Sequence, residues 1–232
     1  MNAAVIQRNL ANVQADIEAA CAACGRDPSS VRLVAVTKYA EWEWVQSLKT
    51  AHTVFGENRP QQLAERQTKS PDAEWHLIGQ LQRNKARLAV QHAAWIHSVD
   101  SARLLKRVAE TAEELRLRPR VLLQVNVSGE QSKSGFSPDE LSIGWNDFVS
   151  YHKHVELAGL MTMAPASPEP EDARSTFRGL AQLRDKLTTT SAAKAAEVSL
   201  TELSMGMSGD FVVAIEEGAT LVRVGSRLFE GL

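Results

Sequence analysis

The sequence has little cysteine, no long apolar run and almost no net charge, and each shortage excludes a class of protein. The 2 cysteines, Cys21 and Cys24, form one CxxC, and no second CxxC completes a four-sulfur zinc site. No segment approaches the roughly 18 apolar residues that span a bilayer, and residues 1–8 do not begin a secretory leader. With 26 basic and 28 acidic residues, the formal net charge of -2 supplies no field that attracts nucleic acid or an anionic membrane. We therefore expect a cytoplasmic protein that binds neither nucleic acid nor membrane.

Two common nucleotide-binding motifs are also missing. Lys38 and Tyr39 follow the first strand-like run where a GxGxxG turn would stand, and the chain contains no Walker-type GxxxxGK. The sequence therefore gives no basis for a dinucleotide or nucleoside triphosphate site. The CxxC itself continues an apolar stripe of helical spacing, so we expect Cys21 and Cys24 to pack in the first helix rather than to act in redox chemistry.

The residues that are present suit one folded domain over residues 1–232. The chain is 44% apolar and 23% charged, close to the average of globular proteins. After a helical pattern over residues 3–23, eight short apolar runs alternate with further helical patterns. These runs cover residues 31–37, 52–55, 75–79, 95–99, 120–127, 157–163, 198–205 and 220–225. The alternation predicts an α/β fold, a single (β/α)8 TIM-type barrel with an extra N-terminal helix, and an open doubly wound sheet is the alternative.

Ligands of such barrels bind at the carboxyl ends of the strands, so the residues after each run are the candidate site. Lys38 follows the first run, where partial desolvation would lower the pKa of an amine and favour the neutral nucleophile that forms a Schiff base with an aldehyde. The loops 204–210 and 225–226 follow the last two runs, where barrels commonly bind phosphate through backbone N–H groups. A phosphorylated aldehyde would suit both features, and pyridoxal phosphate is the commonest cofactor of that kind.

Eight ordered motifs resemble those of the pyridoxal phosphate homeostasis protein family. They are VTKY, FGENRPQQ, WHLIGQLQRNK, IHSVDS, VNVSGEQSKSGF, GLMTMAP, LSMGMSGDF and VRVGSRLFEG, and together they cover essentially the whole chain. The resemblance implies a single barrel of the alanine racemase N-terminal-domain type. It also implies a cytoplasmic protein that binds pyridoxal 5'-phosphate (PLP) and acts in vitamin B6 homeostasis without an established catalytic reaction.

Carried over by position, the resemblance implies a set of cofactor-binding residues: Lys38, Asn58, Ser204, Arg223, Gly225 and Ser226. Lys38 would hold the cofactor as an internal aldimine, and Ser204, Gly225 and Ser226 would bind its phosphate.

Asn58 would lie beside the pyridine ring. Arg223 would face the pyridine nitrogen, where a cation disfavours protonation and makes the ring a weaker electron sink. His76, Met161 and Met205 match motif positions near the site, but packing explains them equally well.

The main alternative is a PLP-dependent amino-acid racemase of low activity. A two-base racemase needs a second acid/base group on the opposite face of the ring, which a partner subunit's extra domain supplies in the known enzymes. The two tyrosines of this chain are poor substitutes, because Tyr39 is expected to point to the opposite side of an extended strand from Lys38 and Tyr151 is expected within a helix. We therefore favour cofactor binding and delivery to unidentified apoenzymes, by a monomer.

Two further classes of function are also compatible with the sequence. A cofactor-free Schiff-base aldolase would also use a barrel lysine and a phosphate site, and it would be colourless where an imine of PLP is yellow. A nucleic-acid or protein-binding module would use the basic cluster of Arg83, Lys85 and Arg87. That cluster has no accompanying aromatic platform, which favours a solvated helix face.

Overall fold

Eight short segments rich in leucine and valine form a closed parallel barrel in the computed structural model, which describes residues 2–130 and 133–232. Each strand pairs with its neighbours in chain order, and the first pairs with the last, with Val34 opposite Arg223. The strands are β1 Arg32–Val36, β2 Val54–Glu57, β3 Glu74–Leu77, β4 Trp95–Val99, β5 Arg120–Gln124, β6 Glu156–Met161, β7 Glu202–Met207 and β8 Leu221–Val224. The predicted α/β barrel is therefore confirmed, and the open doubly wound sheet is wrong.

Helices alternate with these strands and cover the outside of the barrel. They are α1 Asn2–Ala23, α2 Trp42–Lys49, α3 Pro60–Lys69, α4 Ala86–His92, α5 Ala102–Leu115, α6 Pro138–Val149, α7 Arg174–Thr188, α8 Ser191–Ala195 and α9 Phe211–Glu216. One apolar core lies between the strands and this helical layer, and a smaller apolar group, which includes Val34, Leu122 and Leu221, occupies the barrel interior. None of the helices in the described part of the chain has the length and apolar character needed to cross a bilayer.

The extra N-terminal helix α1 packs against α2, α9 and the final 3-10 turn of the chain. Its buried Asn9 side chain donates to two carbonyls near the C-terminus, Leu228 O at 3.3 Å and Glu230 O at 2.9 Å. These contacts hold the last βα unit beside the first. Helix α1 therefore covers the seam at which the barrel closes.

The structure corrects three details of the sequence prediction. Cys21 is buried as expected, but Cys24 is exposed because α1 ends at Ala23. The turn after β1 contains both Lys38 and Tyr39, so these residues do not lie on an extended strand. Strand β7 extends to Met207, beyond its predicted end, and this places Ser204 in the middle of the strand.

Candidate functional site

A cavity of about 830 Å³ opens at the carboxyl ends of the strands, on the face where the candidate residues were expected. Its wall contains five of the six predicted site residues: Lys38, Asn58, Arg223, Gly225 and Ser226. The sixth, Ser204, is fully buried on β7 and is not part of the wall. The topology of the barrel therefore brings together residues that lie up to 188 positions apart, from Lys38 to Ser226.

The predicted role of Ser204 as a phosphate ligand is not supported by its position. Its hydroxyl accepts a hydrogen bond from Arg223 Nη1 at 2.5 Å and lies 2.9 Å from His97 Nδ1. Because Ser204 lies mid-strand, its side chain sits beneath the cavity floor, where it contacts Arg223 rather than a ligand. We therefore do not retain it among the phosphate-binding candidates.

Lys38 lies at one side of the cavity, in the turn that follows β1. It is partly buried, and its Nζ lies 5.1 Å from the centre of the Tyr39 ring. Tyr39 also lines the cavity and is 87% exposed, so the expectation that it points away from the Lys38 side is wrong. The turn geometry, absent from the strand-based prediction, turns both side chains towards the cavity.

Two loops after β7 and β8, next to the Lys38 turn in the closed barrel, form a further part of the cavity wall and are joined by a hydrogen bond. Ser208 Oγ in the β7 loop accepts from the Gly225 N–H at 3.2 Å, and Asp210 Oδ1 accepts from the Met207 N–H at 2.6 Å. A Cβ at Gly225 would lie 3.2 Å from Val36 Cβ, so glycine allows β8 to approach β1 closely here. The following 3-10 turn begins at Ser226, and the first N–H groups of such a turn have no partner within it. These N–H groups can donate hydrogen bonds to a bound anion.

Arg223 lies on β8 at the floor of the cavity and is only 4% exposed. Its Nη1 donates to Ser204 Oγ, and its Nη2 donates to Thr162 O at 2.9 Å. Burial lowers the pKa of Arg223 to about 10, and the charge of Asp210 opposes this shift. The guanidinium therefore stays cationic at neutral pH, and both of these acceptors are neutral.

A chain of buried polar groups continues from Ser204 down the barrel interior. His97 Nε2 lies 2.9 Å from His76 Nδ1, and His76 Nε2 lies 2.7 Å from Glu74 Oε1 at the lower end of β3. Burial lowers the pKa of His76, and burial together with the charges of His76 and Arg223 holds the pKa of His97 well below its ordinary value. The rings of His76 and His97 are fully buried, and so is Met205. Met161 belongs to the apolar group in the barrel interior. None of these four residues lines the cavity.

Charge in the cavity wall is of one sign. The wall contains Lys38, Lys133 and Arg223, and no Asp or Glu occurs among the described residues that line it. Lys133 Nζ pairs with Glu130 at 3.1 Å, outside the wall. A cavity of this composition favours a ligand with several negative charges.

Several wall residues were not singled out from the sequence. Ser208 and Gly209 lie in a loop that was proposed for phosphate, but the individual residues were not assigned. Lys133 and Ser134 follow β5 within the quoted motif VNVSGEQSKSGF, and their place after a strand was the available signal. Gly79 lies under Asn58, where a Cβ would come within 2.4 Å of Asn58 O, so only glycine allows this approach.

Comparisons with known proteins agree with this geometry. The family model "Alanine racemase, N-terminal domain" matches residues 8–231. The pyridoxal phosphate homeostasis protein of Aquifex aeolicus is 38% identical over 223 residues, which cover 95% of each chain. That of Pseudomonas aeruginosa is 39% identical and covers 97% of this chain and 94% of its own. The chain belongs to the pyridoxal phosphate homeostasis protein family.

Solved structures extend the comparison for this member of the pyridoxal phosphate homeostasis protein family. The protein PipY of Synechococcus elongatus, solved with PLP bound, has a TM-score of 0.82 and 36% identity and covers 97% of this chain and 99% of its own. An alanine racemase of Clostridium difficile has a TM-score of 0.70 at 16% identity, and the match covers 96% of this chain but 56% of the racemase. The second likeness shows a shared barrel fold only.

Proposed function

We propose that this chain binds pyridoxal 5'-phosphate in the cavity, with Lys38 joined to the aldehyde as a Schiff base. The observation that carries the proposal is that one cationic cavity contains the Lys38 amine, the loops after β7 and β8 with hydroxyl and N–H groups suited to a phosphate, and the buried Arg223 guanidinium. The volume of about 830 Å³ is ample for the cofactor. PipY, similar over nearly its whole length, was solved with PLP bound, which supports the same ligand here.

Each wall residue has a role that its position supports. The N–H groups at Ser226 and the hydroxyl and loop at Ser208 would bind the phosphate, with Gly225 making room for it. Asn58 would lie beside the ring, and Lys38 Nζ would bond to the aldehyde carbon as one water molecule leaves. PLP, when bound, supplies an electron sink for chemistry on amino acids.

Arg223 favours a binding role over catalysis. A cation beside the pyridine nitrogen disfavours protonation of the ring and so weakens the electron sink on which carbanion chemistry depends. We therefore propose that the chain acts in intracellular PLP homeostasis, as a monomer that holds the cofactor and delivers it to apoenzymes. Three exposed side chains at the cavity, Tyr39, Met163 and Met207, leave the site open to solvent, which suits release of a cofactor better than protection of a carbanion.

A weak racemase is the second candidate, and Tyr39 is the observation that favours it. Its ring lies beside Lys38 and lines the cavity, so it offers a phenol as an acid/base group, and a two-base reaction requires this phenol to reach the face of the PLP ring opposite Lys38. Turnover of alanine enantiomers by the loaded protein, abolished in Tyr39→Phe, would support this candidate. Absence of turnover would leave the binding role.

The Schiff base is tested by borohydride trapping. Protein loaded with PLP should be yellow, and reduction followed by peptide mapping should place the label on Lys38. Lys38→Ala should lose the visible band and the label, while Lys133→Ala, the matched change at the other cavity lysine, should keep both. A label absent from Lys38 in the parent protein would contradict the proposal and favour the cofactor-free aldolase.

A further inference from the structure

The turn that holds Lys38 is fixed at both ends by main-chain hydrogen bonds. Thr37 N–H donates to Gly56 O of β2 at 3.0 Å, and Ala40 N–H donates to Thr37 O at 2.9 Å. Lys38 and Tyr39 are therefore the two central residues of a β-turn that begins where the barrel ladder ends. The direction of the Lys38 side chain depends on how firmly this turn is held.

A buried guanidinium outside the strands binds both ends of the same turn. Arg66, on α3, is 7% exposed. Its Nη1 donates to Thr37 O at 2.9 Å, and its Nη2 donates to Ala40 O at 2.7 Å. One planar group thus spans the carbonyl before Lys38 and the carbonyl that ends the turn, a geometry that suits arginine because its donors form a rigid fork.

Glu57, at the end of β2, holds the Arg66 guanidinium in place. Its fully buried carboxylate accepts from Arg66 Nη1 at 2.6 Å and from Thr37 Oγ1 at 2.5 Å. The Gln62 amide completes the cluster when its oxygen and nitrogen are assigned from the surrounding groups: in that orientation its nitrogen donates to Glu57 Oε2 and its oxygen accepts from Arg66 Nη2, both at 3.2 Å. Burial raises the pKa of Glu57, and the hydrogen bonds from Thr37 and Arg66 oppose the shift.

Stability alone does not account for this cluster. A buried ion pair is weak evidence for stability, because well-packed apolar residues of similar volume often do as well. An apolar pair, however, would not supply directional donors to the two carbonyls of the Lys38 turn. Neither Arg66 nor Glu57 lines the cavity, so neither contacts a ligand there directly.

We propose that Arg66, held by Glu57, is a positioning residue that sets the height and direction of Lys38, so that its amine meets the aldehyde of the bound cofactor. The inference rests on the proposed function. The step that it serves forms a bond between Lys38 Nζ and the aldehyde carbon, and the aldehyde oxygen leaves as water with two protons from the amine. Misplacement by about 1 Å is enough to slow such a step by up to about a hundredfold.

The test separates covalent attachment from binding. Arg66→Lys keeps a cation beside Glu57 but lacks the fork, and Glu57→Gln keeps a hydrogen-bonding side chain but removes the charge. Full-length apo proteins would be mixed with PLP, and the rate constant of the visible imine band at saturation would be measured. Affinity for pyridoxine 5'-phosphate, which has an alcohol in place of the aldehyde, would report binding without the covalent step.

We expect both variants to form the imine about tenfold more slowly or worse, while their affinity for pyridoxine 5'-phosphate changes less than about threefold. Leu104→Ala, in the core beneath α5 on the other side of the barrel, is the matched control for loss of stability and should change neither value. Equal imine rates in the parent and in either folded variant would overturn the inference. A parent protein that forms no trapped adduct on Lys38 would instead overturn the proposed function, so the two failures are distinguishable.

Discussion

Arg66 and Arg223 are both buried arginines close to the cavity, but only one of them has a carboxylate partner. Arg66 pairs with Glu57 at 2.6 Å and directs its remaining donors to carbonyls of the Lys38 turn. Arg223 donates to a hydroxyl and a carbonyl, Ser204 Oγ and Thr162 O. The charge of Arg66 is neutralised by Glu57, and its guanidinium fixes the position of the Lys38 turn. The second has no adjacent counter-charge among the described residues, so its field is available to a ligand.

The two arginines also have different titratable neighbours. Arg66 pairs with Glu57, whose pKa is raised by burial, whereas Arg223 is linked through Ser204 to the imidazoles of His97 and His76, whose pKa values are lowered by burial. A second cation beside Arg223 would be repelled, and this is part of the reason for the lowered pKa of His97. Variants on the two sides of the cavity test how the surroundings of Arg66 and Arg223 differ.

The largest expected effect is on the Lys38 side. Glu57→Ala leaves the Arg66 guanidinium buried without its counter-ion, so it should lower the free energy of unfolding by about 3–5 kcal/mol, measured by urea denaturation. Glu110→Ala is the control, because it removes an exposed pair with Lys106 at 3.8 Å and should cost less than about 0.5 kcal/mol. Similar losses in the two variants would contradict the distinction between the buried and the exposed pair.

A smaller effect is expected on the Arg223 side. Ser204→Ala removes the hydroxyl that accepts from the cationic Arg223 Nη1 and that contacts His97, and should cost about 1–3 kcal/mol in unfolding free energy. The exposed Ser150→Ala, which removes a bond to Asp147 O, should stay within about 0.5 kcal/mol.

The same variant tests the assignment of the phosphate site. Pyridoxine 5'-phosphate should bind Ser204→Ala with nearly the parent affinity, and Ser226→Ala should bind it more weakly. A large loss of affinity in Ser204→Ala alone would restore Ser204 as a phosphate ligand.

The smallest effect concerns acid stability. The pKa of His97 is held below its ordinary value of 6.5 in the folded state, so the unfolded chain takes up a proton as pH falls below about 6.5 while the folded chain does not. Stability is therefore lost in that window, by up to about 1.4 kcal/mol per pH unit for each such group. His97→Asn should reduce the slope of unfolding free energy between pH 6.5 and lower pH, measured by urea denaturation. An unchanged slope would contradict the assignment.

His52 supplies a matched variant for that experiment. Its pKa is also lowered by burial, but its ring bonds to Val54 O and takes no part in the chain that leads to Arg223. His52→Gln should therefore reduce the acid slope in the same way without changing the absorption band of bound PLP. His97→Asn should change both, because it removes a partner of Ser204.

Much of the site was predictable because it is local in the sequence. The alternation of apolar runs predicted the eight strands, and the position of Lys38 after the first run and of Gly225 and Ser226 after the last placed them on one face. Ser204 was misplaced because the sequence does not fix the end of β7: the strand continues two residues beyond the predicted end at residue 205, so Ser208 rather than Ser204 reaches the cavity wall. Tyr39 was misplaced for a related reason, since a turn does not keep the alternation of a strand.

The sequence by itself determined the order of the elements and the chemistry available at the strand ends, because hydrophobic period and turn residues act over a few positions. Only the tertiary structure decided which buried charges meet. Arg66 lies on α3, Glu57 on β2 and Thr37 after β1, and nothing in their spacing marks them as partners. The parallel pairing of β1 with β2 and the packing of α3 against β2 bring them together, and a buried charge is tolerated only where such packing places a partner within reach.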